Sequence, residues 1–423
     1  MDEKDGCIQH VSSPNSVLES RESKYFQTVM RFLPLFFLYI IILFAAYSDT
    51  FQGDEERYVM FAANLSKGYY SPMGLIYLWN GPGYPIVLLP FVLLKLPWLA
   101  AKLLNPLFLF VAVIYFYYTL RFYVKERTAL FVSYLLGIYP PFSRYMHMLL
   151  TEQLSIFLMC GFMYHFCKMT REDKWYSGHI LVSSFYLGFL ALTKIFFGYV
   201  ILSGILLYFV LYIKQRNTEL KKTFLVYILS LIICIPYLCY TYSLTGKIFY
   251  WGNSGGLAIY LMSTPHEEEF GDWFERNSSH HQKVYEELAG LSDIEKDDAL
   301  KKLALKNIAA HPVKYIRNWM ANIGRLWFNY PYSYMAQSLS SYFYILPNMF
   351  IFVLWVLCIY PTYSRRELIP FEMHVLILFA LISFGGLIPA NGENRYLWPI
   401  IPIFMLWIAF VMTRILKIEI QSG

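Results

Sequence analysis

Two adjacent acids, Asp54 and Glu55, stand just after the first long apolar run of this 423-residue chain. A Gly-Pro-Gly-Tyr-Pro run at 81–85 then turns the sequence back towards apolar residues. Carboxylates held at a membrane surface beside a rigid turn suit chemistry on a lipid-linked substrate. One acid can take a proton from a hydroxyl, and several together can hold a cation. Three more ionisable positions fall where apolar sequence begins or ends: Glu152 (LLTEQLS), Lys194 (ALTKIFF) and Glu393-Asn394-Arg395-Tyr396 (NGENRYLWP). An acid at the start of a span is costly unless it is used or paired. Lys194, Arg325 and Arg395 are the cations placed to meet a departing phosphate.

The rest of the chain must hold these groups at a bilayer. It is 57% hydrophobic, 19% aromatic and only 15% charged, where a soluble domain carries about 25% charge. The class is therefore an all-α polytopic membrane protein. Of the six cysteines only Cys7 lies outside an apolar segment, and no pair has metal-ligand spacing, so no disulfide framework is expected. Residues 1–30 are polar, of mixed charge and without a signal-peptide pattern, and read as a disordered cytoplasmic tail.

Ten apolar runs have roughly the length of a span: 32–47, 103–120, 128–143, 150–167, 178–193, 196–213, 223–241, 342–360, 373–388 and 397–413. An eleventh, 86–98, is short for the hydrocarbon core and is interrupted by prolines. Basic residues cluster in four loops, at 121–127, 168–174, 214–222 and 365–366. The positive-inside bias places all four in the cytoplasm if 86–98 does not cross, giving ten spans with both termini inside. An eleventh span with a flipped half is the alternative. In the ten-span arrangement Asp54, Glu55, Glu152, Lys194 and Arg395 share the outer side.

The organisation that follows is a tail (1–30), an N-terminal transmembrane module (31–243) with an external loop at 48–102, an external segment (244–341), and C-terminal spans (342–423). At under 100 residues the external segment is too small for an independent core and reads as a lid. Its stretch 267–298 is acid-rich, whereas 301–325 is basic with apolar residues at helical spacing. That pattern reads as a helix lying on headgroups, with an ordinary docked helix as the alternative. His280 and His281 could ligate a metal, although an adjacent exposed pair usually does not. Asn64 and Asn277 each open an Asn-x-Ser sequon.

The order of these motifs resembles the GT-C glycosyltransferases, in particular the branch with protein O-mannosyltransferases and the bacterial aminoarabinose transferase of lipid A. The shared layout is the acidic first loop (GDEERY), GPGYP, the LTE and LTK junctions, a late external segment and a terminal RYLWP. The resemblance implies a bundle of about 10–11 transmembrane helices with external juxtamembrane helices. It also implies a polyprenyl-phosphate sugar as donor and a lipid, glycan or protein hydroxyl as acceptor. In the family the first acid of the pair is the base, which gives Asp54 that role; its other reading is a helix cap.

Glu55 and Glu152 join Asp54 as catalytic candidates, and the three could share one divalent metal ion. Lys194, Arg325, Arg395, Tyr396 and Tyr84 are the substrate-binding candidates. Inversion would follow from a single displacement with no protein nucleophile. Membrane lipids are the other expected partners, and no nucleic acid is expected. The membrane would be the plasma or inner membrane of a bacterium or the endoplasmic reticulum of a eukaryote, with the site outside or lumenal. A flippase for polyprenyl-linked sugars and a non-catalytic subunit of a glycan-assembly complex are the rival readings. The first would need charged residues at mid-membrane and pseudo-symmetric halves; the second would not need Asp54.

Overall fold

The computed structural model describes residues 14–174, 176–336 and 339–416, with side chains from residue 25. Among these the chain is helical with no strand, as the composition requires. In chain order the principal helices are α1 (Pro14–Ala45), α2 (Glu55–Leu65), α3 (Gly83–Leu93), α4 (Leu104–Arg121), α5 (Glu126–Gly137), α6 (Glu152–Thr170), α7 (Gly178–Thr193), α8 (Phe196–Gln215) and α9 (Thr218–Thr245). Residues 244–341 hold α10 (Gly255–Met262), α11 (Ser279–Glu287), α12 (Asp293–Ala310) and α13 (Pro312–Phe328). The chain then returns through α14 (Tyr342–Ser364), α15 (Phe371–Leu387) and α16 (Ile401–Phe410).

Among the described residues six helical stretches are long and apolar enough to cross a bilayer: Tyr25–Ala45, Trp98–Arg121, Phe196–Gln215, Thr218–Thr245, Leu339–Ser364 and Asn394–Ile415. The protein is an integral membrane protein. Several carry large apolar side chains on their outer faces, such as Phe37 and Ile41 on α1, Leu206 and Ile213 on α8, and Leu346 and Phe350 on α14. In lipid such a face costs nothing. The other expected spans are helical but fall short of that length or hydropathy. The run 128–143 is the clearest departure: α5 stops at Gly137 and a separate turn begins at Pro140. The residue before a proline is pushed out of the helical region, and Tyr139 is extended. Helix α3 has 11 residues, about 16 Å, too short to cross.

At the amino end, α1 begins at Pro14, so residues 14–30 are helical rather than part of a disordered tail. Residues 1–13, and Cys7 with them, lie outside the described residues.

Helix α13 reverses the usual sidedness. Val313, Ile316 and Met320 face outwards, while Lys314, Asn318, Asn322 and Arg325 are buried. The buried amides and guanidinium bind loop carbonyls. Asn318 donates to Met262 and Thr264, and Asn322 to Leu387, Ile388 and Ala390. Arg325 donates to Phe270, Gly271 and Pro331. This helix therefore gathers the 262–271 strap and the 387–392 loop under an apolar outer face. The break before it is at His311-Pro312, so the basic stretch 301–325 is two helices rather than one.

Candidate active site

The GPGYP turn fits against the LTK junction because it lacks side chains where the two backbones meet. A Cβ on Gly81 would lie 2.0 Å from the Leu192 carbonyl oxygen, and one on Gly83 would lie 2.5 Å from Thr193 Oγ1. Two motifs more than a hundred residues apart in sequence are thus one packed unit, which carries Lys194 to the wall of a cavity of about 280 Å³. Asp54, Glu152, Lys194, Arg395 and Tyr396 line one side of it; Ile195, Phe196 and Leu387 supply apolar wall.

Asp54 occupies the N-cap position of α2, but its side chain makes no capping bond. Its carboxylate instead lies between two guanidinium groups. Arg57, one turn along α2, meets Oδ1, and Arg395 Nη2 is 2.9 Å from Oδ2. Burial alone would raise its pKa; the charges of Arg395 and Arg57 outweigh burial and hold it below the ordinary carboxylate value.

Arg395 is the hub. Its Nε donates to Glu393 at 2.7 Å, and its Nη1 is 3.8 Å from Glu152 Oε1. Glu152 is buried at the start of α6 and accepts from Lys194 Nζ at 3.2 Å, while its Oε2 has no partner. Lys194 Nζ also sits 5.3 Å from the centre of the Tyr396 ring, a cation–π contact. Asp54, Glu152, Lys194, Arg395 and Tyr396 therefore form one constellation drawn from four parts of the chain.

The remaining candidates lie elsewhere. Glu55 is buried behind the cavity: it accepts from the Leu149 and Gln52 backbone amides at 2.8 and 2.9 Å, and Lys102 Nζ is 3.5 Å away. Arg325 is fully buried on loop carbonyls, as described above, and is no part of the cavity wall. Tyr84 is buried behind Tyr58, ring edge to ring face at 5.3 Å, and braces the wall rather than forming it. A divalent ion shared by Asp54, Glu55 and Glu152 does not fit this arrangement. Asp54 is taken by two arginines, Glu55 by Lys102 and two amides, and only Glu152 Oε2 is free.

Other residues come to the site without a clear sequence signal. A second, more polar cavity shares Asp54, Arg395, Tyr396, Trp79 and Trp273 with the first and adds Arg57, Arg276 and Glu393. Trp79 and Trp273 approach at 6.1 Å between ring centres, and the Arg57 and Arg276 guanidinium groups lie 5.4 and 5.7 Å over Trp79. The three-residue spacing of Asp54 and Arg57 could have been read from helix periodicity. Trp273, in the acid-rich lid loop, could not.

A family model of dolichyl-phosphate-mannose-protein mannosyltransferases matches residues 91–240. Among solved structures, the oligosaccharyltransferase AglB from Archaeoglobus fulgidus, in complex with an inhibitory peptide and a dolichol-phosphate, superposes with a TM-score of 0.53 at 12% identity. The chain covers 50% of it and 92% of itself in that match. ArnT from Cupriavidus metallidurans, bound to undecaprenyl phosphate, superposes at 0.51 with 14% identity, over 90% of this chain and 60% of ArnT. The chain has the GT-C fold. The apo form of the Archaeoglobus enzyme agrees, with a TM-score of 0.54 over 91% of this chain. The chain spans about half to three-fifths of the length of those proteins. No curated protein matches it in sequence.

Proposed function

We propose that the protein is a glycosyltransferase that moves a sugar from a polyprenyl-phosphate donor to an acceptor hydroxyl at the outer or lumenal face. The observation that carries this reading is the position of Asp54, where an apolar-walled cavity holding Lys194 and Arg395 meets a polar cleft that adds Arg57, Arg276 and Glu393. The first cavity suits a lipid phosphate beside its prenyl chain. The second suits a polar acceptor. The mannosyltransferase family match and the polyprenyl phosphates bound by two structural neighbours support the choice of donor.

In the proposed step the acceptor hydroxyl gives its proton to an Asp54 oxygen as its own oxygen attacks the anomeric carbon. The bond from that carbon to the phosphate oxygen breaks, and the electron pair leaves with the lipid phosphate. Lys194 and Arg395 stabilise the developing charge. One displacement inverts the anomeric centre.

Without donor, Arg395 is shared among Asp54, Glu393 and Glu152. An arriving phosphate competes for that guanidinium, and each contact it takes from Asp54 makes the carboxylate a better base. Donor binding and base activation are thereby one event.

The decisive experiment places purified protein in lipid with a panel of radiolabelled polyprenyl-phosphate sugars and membrane acceptors. Transfer by the wild type, lost in a folded Asp54→Asn variant, supports the reading. Donor binding without transfer by the wild type would replace it with a carrier or accessory role.

A further inference from the structure

Outside the cleft, the lid contains a buried group that the reaction does not use. One ligand atom from each of Glu269, Glu275 and His281 lies within 4.8 Å of the others, and all three residues are buried. Among the described residues neither carboxylate is ion-paired with a lysine or arginine, although buried carboxylates normally demand compensation. Glu275 Oε1 accepts from the Phe270, Gly271 and Asp272 amides and from Ser333, but its Oε2 is buried without any partner. Glu269 Oε2 faces His281 Nε2 at 3.1 Å and accepts from the Thr264 hydroxyl, and its Oε1 takes Ser278, His280 and Tyr334.

We infer that Glu269, Glu275 and His281 form a structural site for a zinc-class divalent ion in the lid. The chemistry of the donor set points to zinc: one imidazole and two carboxylates, with a fourth position left for water. Zinc ligands at about 2.0–2.2 Å in a tetrahedron stand roughly 3.4 Å apart, so the 3.1 Å His281–Glu269 pair is near ligand spacing already. The ion would replace the proton shared between them.

His281 also has the outer partner that zinc-binding histidines use, since its Nδ1 is 2.9 Å from the Tyr260 hydroxyl. His266, Glu268 and His280 form a second, more exposed convergent group, and His280 Nδ1 lies 3.1 Å from Glu269 Oε1.

The consequence would be mechanical. Trp273 and Arg276 of the cleft lie between Glu269 and His281 in the chain, so an ion joining the ends of that loop fixes the cleft's outer wall.

The test uses the whole 423-residue chain without a histidine tag, stripped with a chelator and returned to buffered micromolar free zinc. Bound zinc per chain is measured by atomic emission, alongside Tm. About one zinc per chain is expected for the wild type and for Asp54→Asn. Glu275→Gln, which keeps the side chain's shape, and His281→Asn should each bind more than tenfold more weakly and lose the zinc-dependent rise in Tm. Tyr260→Phe should weaken binding about tenfold. If His281→Asn fails to fold, Glu275→Gln decides. Failure of the wild type to retain zinc overturns the site, as does undiminished binding by folded Glu275→Gln. Loss of zinc from Asp54→Asn would overturn it too, by moving the ion to the cleft.

Discussion

Arg395 Nη2 lies 2.9 Å from Asp54 Oδ2, across 341 residues of sequence. The contact closes the bundle on itself: the loop after α1 and the loop before α16 are joined at the carboxylate proposed to receive the acceptor's proton. Removing that charge while keeping its shape should expose its role. Asp54→Asn is expected to lower kcat by about 10²- to 10⁴-fold, the usual contribution of a general base. Donor affinity, measured by equilibrium binding of the lipid phosphate, should change far less.

The depressed pKa of Asp54 fixes a pH dependence. An acid held below its unfolded value contributes stability while ionised, fully above about pH 4. The contribution fades as pH falls through the lower folded value. Thermal melts of wild type and Asp54→Asn should therefore differ by a constant amount between pH 5 and 8 and converge at lower pH. In kinetics, the acid limb of kcat/KM should lie below pH 4. That of kcat should lie higher, because the bound phosphate draws Arg395 away.

Two arginines that look alike in sequence should part in experiment. Arg395→Lys keeps a charge but loses the planar fork, and should reduce kcat by about 10²- to 10³-fold with little change in Tm. Arg325→Ala should instead strand buried carbonyls of Phe270, Gly271 and Pro331, costing about 1–3 kcal/mol for each group left unsatisfied. A melt in lipid nanodiscs separates the two at once.

Gly81→Ala should destabilise the unit formed by GPGYP and LTK. The added methyl would sit 2.0 Å from the Leu192 carbonyl oxygen, so backbone must shift, at about 1–3 kcal/mol. Lys194 moves with that backbone, and activity should fall together with Tm.

The two sequons should not behave alike. Asn64 is buried in α2 and donates to the Tyr70 carbonyl at 3.0 Å, whereas Asn277 is exposed on the lid. Expressed in a eukaryotic secretory system, the protein should carry glycan at Asn277 alone. A mobility shift abolished by Asn277→Gln and unchanged by Asn64→Gln would also place the lid in the lumen.

Sequence spacing carried the fold class and the constellation of Asp54, Glu152, Lys194, Arg395 and Tyr396, because each stands where apolar sequence meets polar. It misjudged groups whose role depends on what lies behind them. Glu55 looks like Asp54 in sequence, yet it is one position further round the helix and faces Lys102. Arg325 shares the basic setting of a phosphate ligand but points into a nest of carbonyls. The length of apolar runs overstated α5, where Pro140 ends what hydropathy continues. Sequon spacing likewise says nothing of the burial that removes Asn64 from solvent.

The reversed sidedness of α13 bears on how the lid can be studied. With Lys314, Asn318, Asn322 and Arg325 turned inwards and Val313, Ile316 and Met320 turned out beside exposed Arg317, this helix presents a largely apolar outer face. A fragment spanning 244–341 would aggregate rather than yield a soluble domain. Detergents and lipids of different headgroup and thickness should then tune the proposed activity by altering how residues 244–341 are seated, so the bilayer would act as a subunit of the protein.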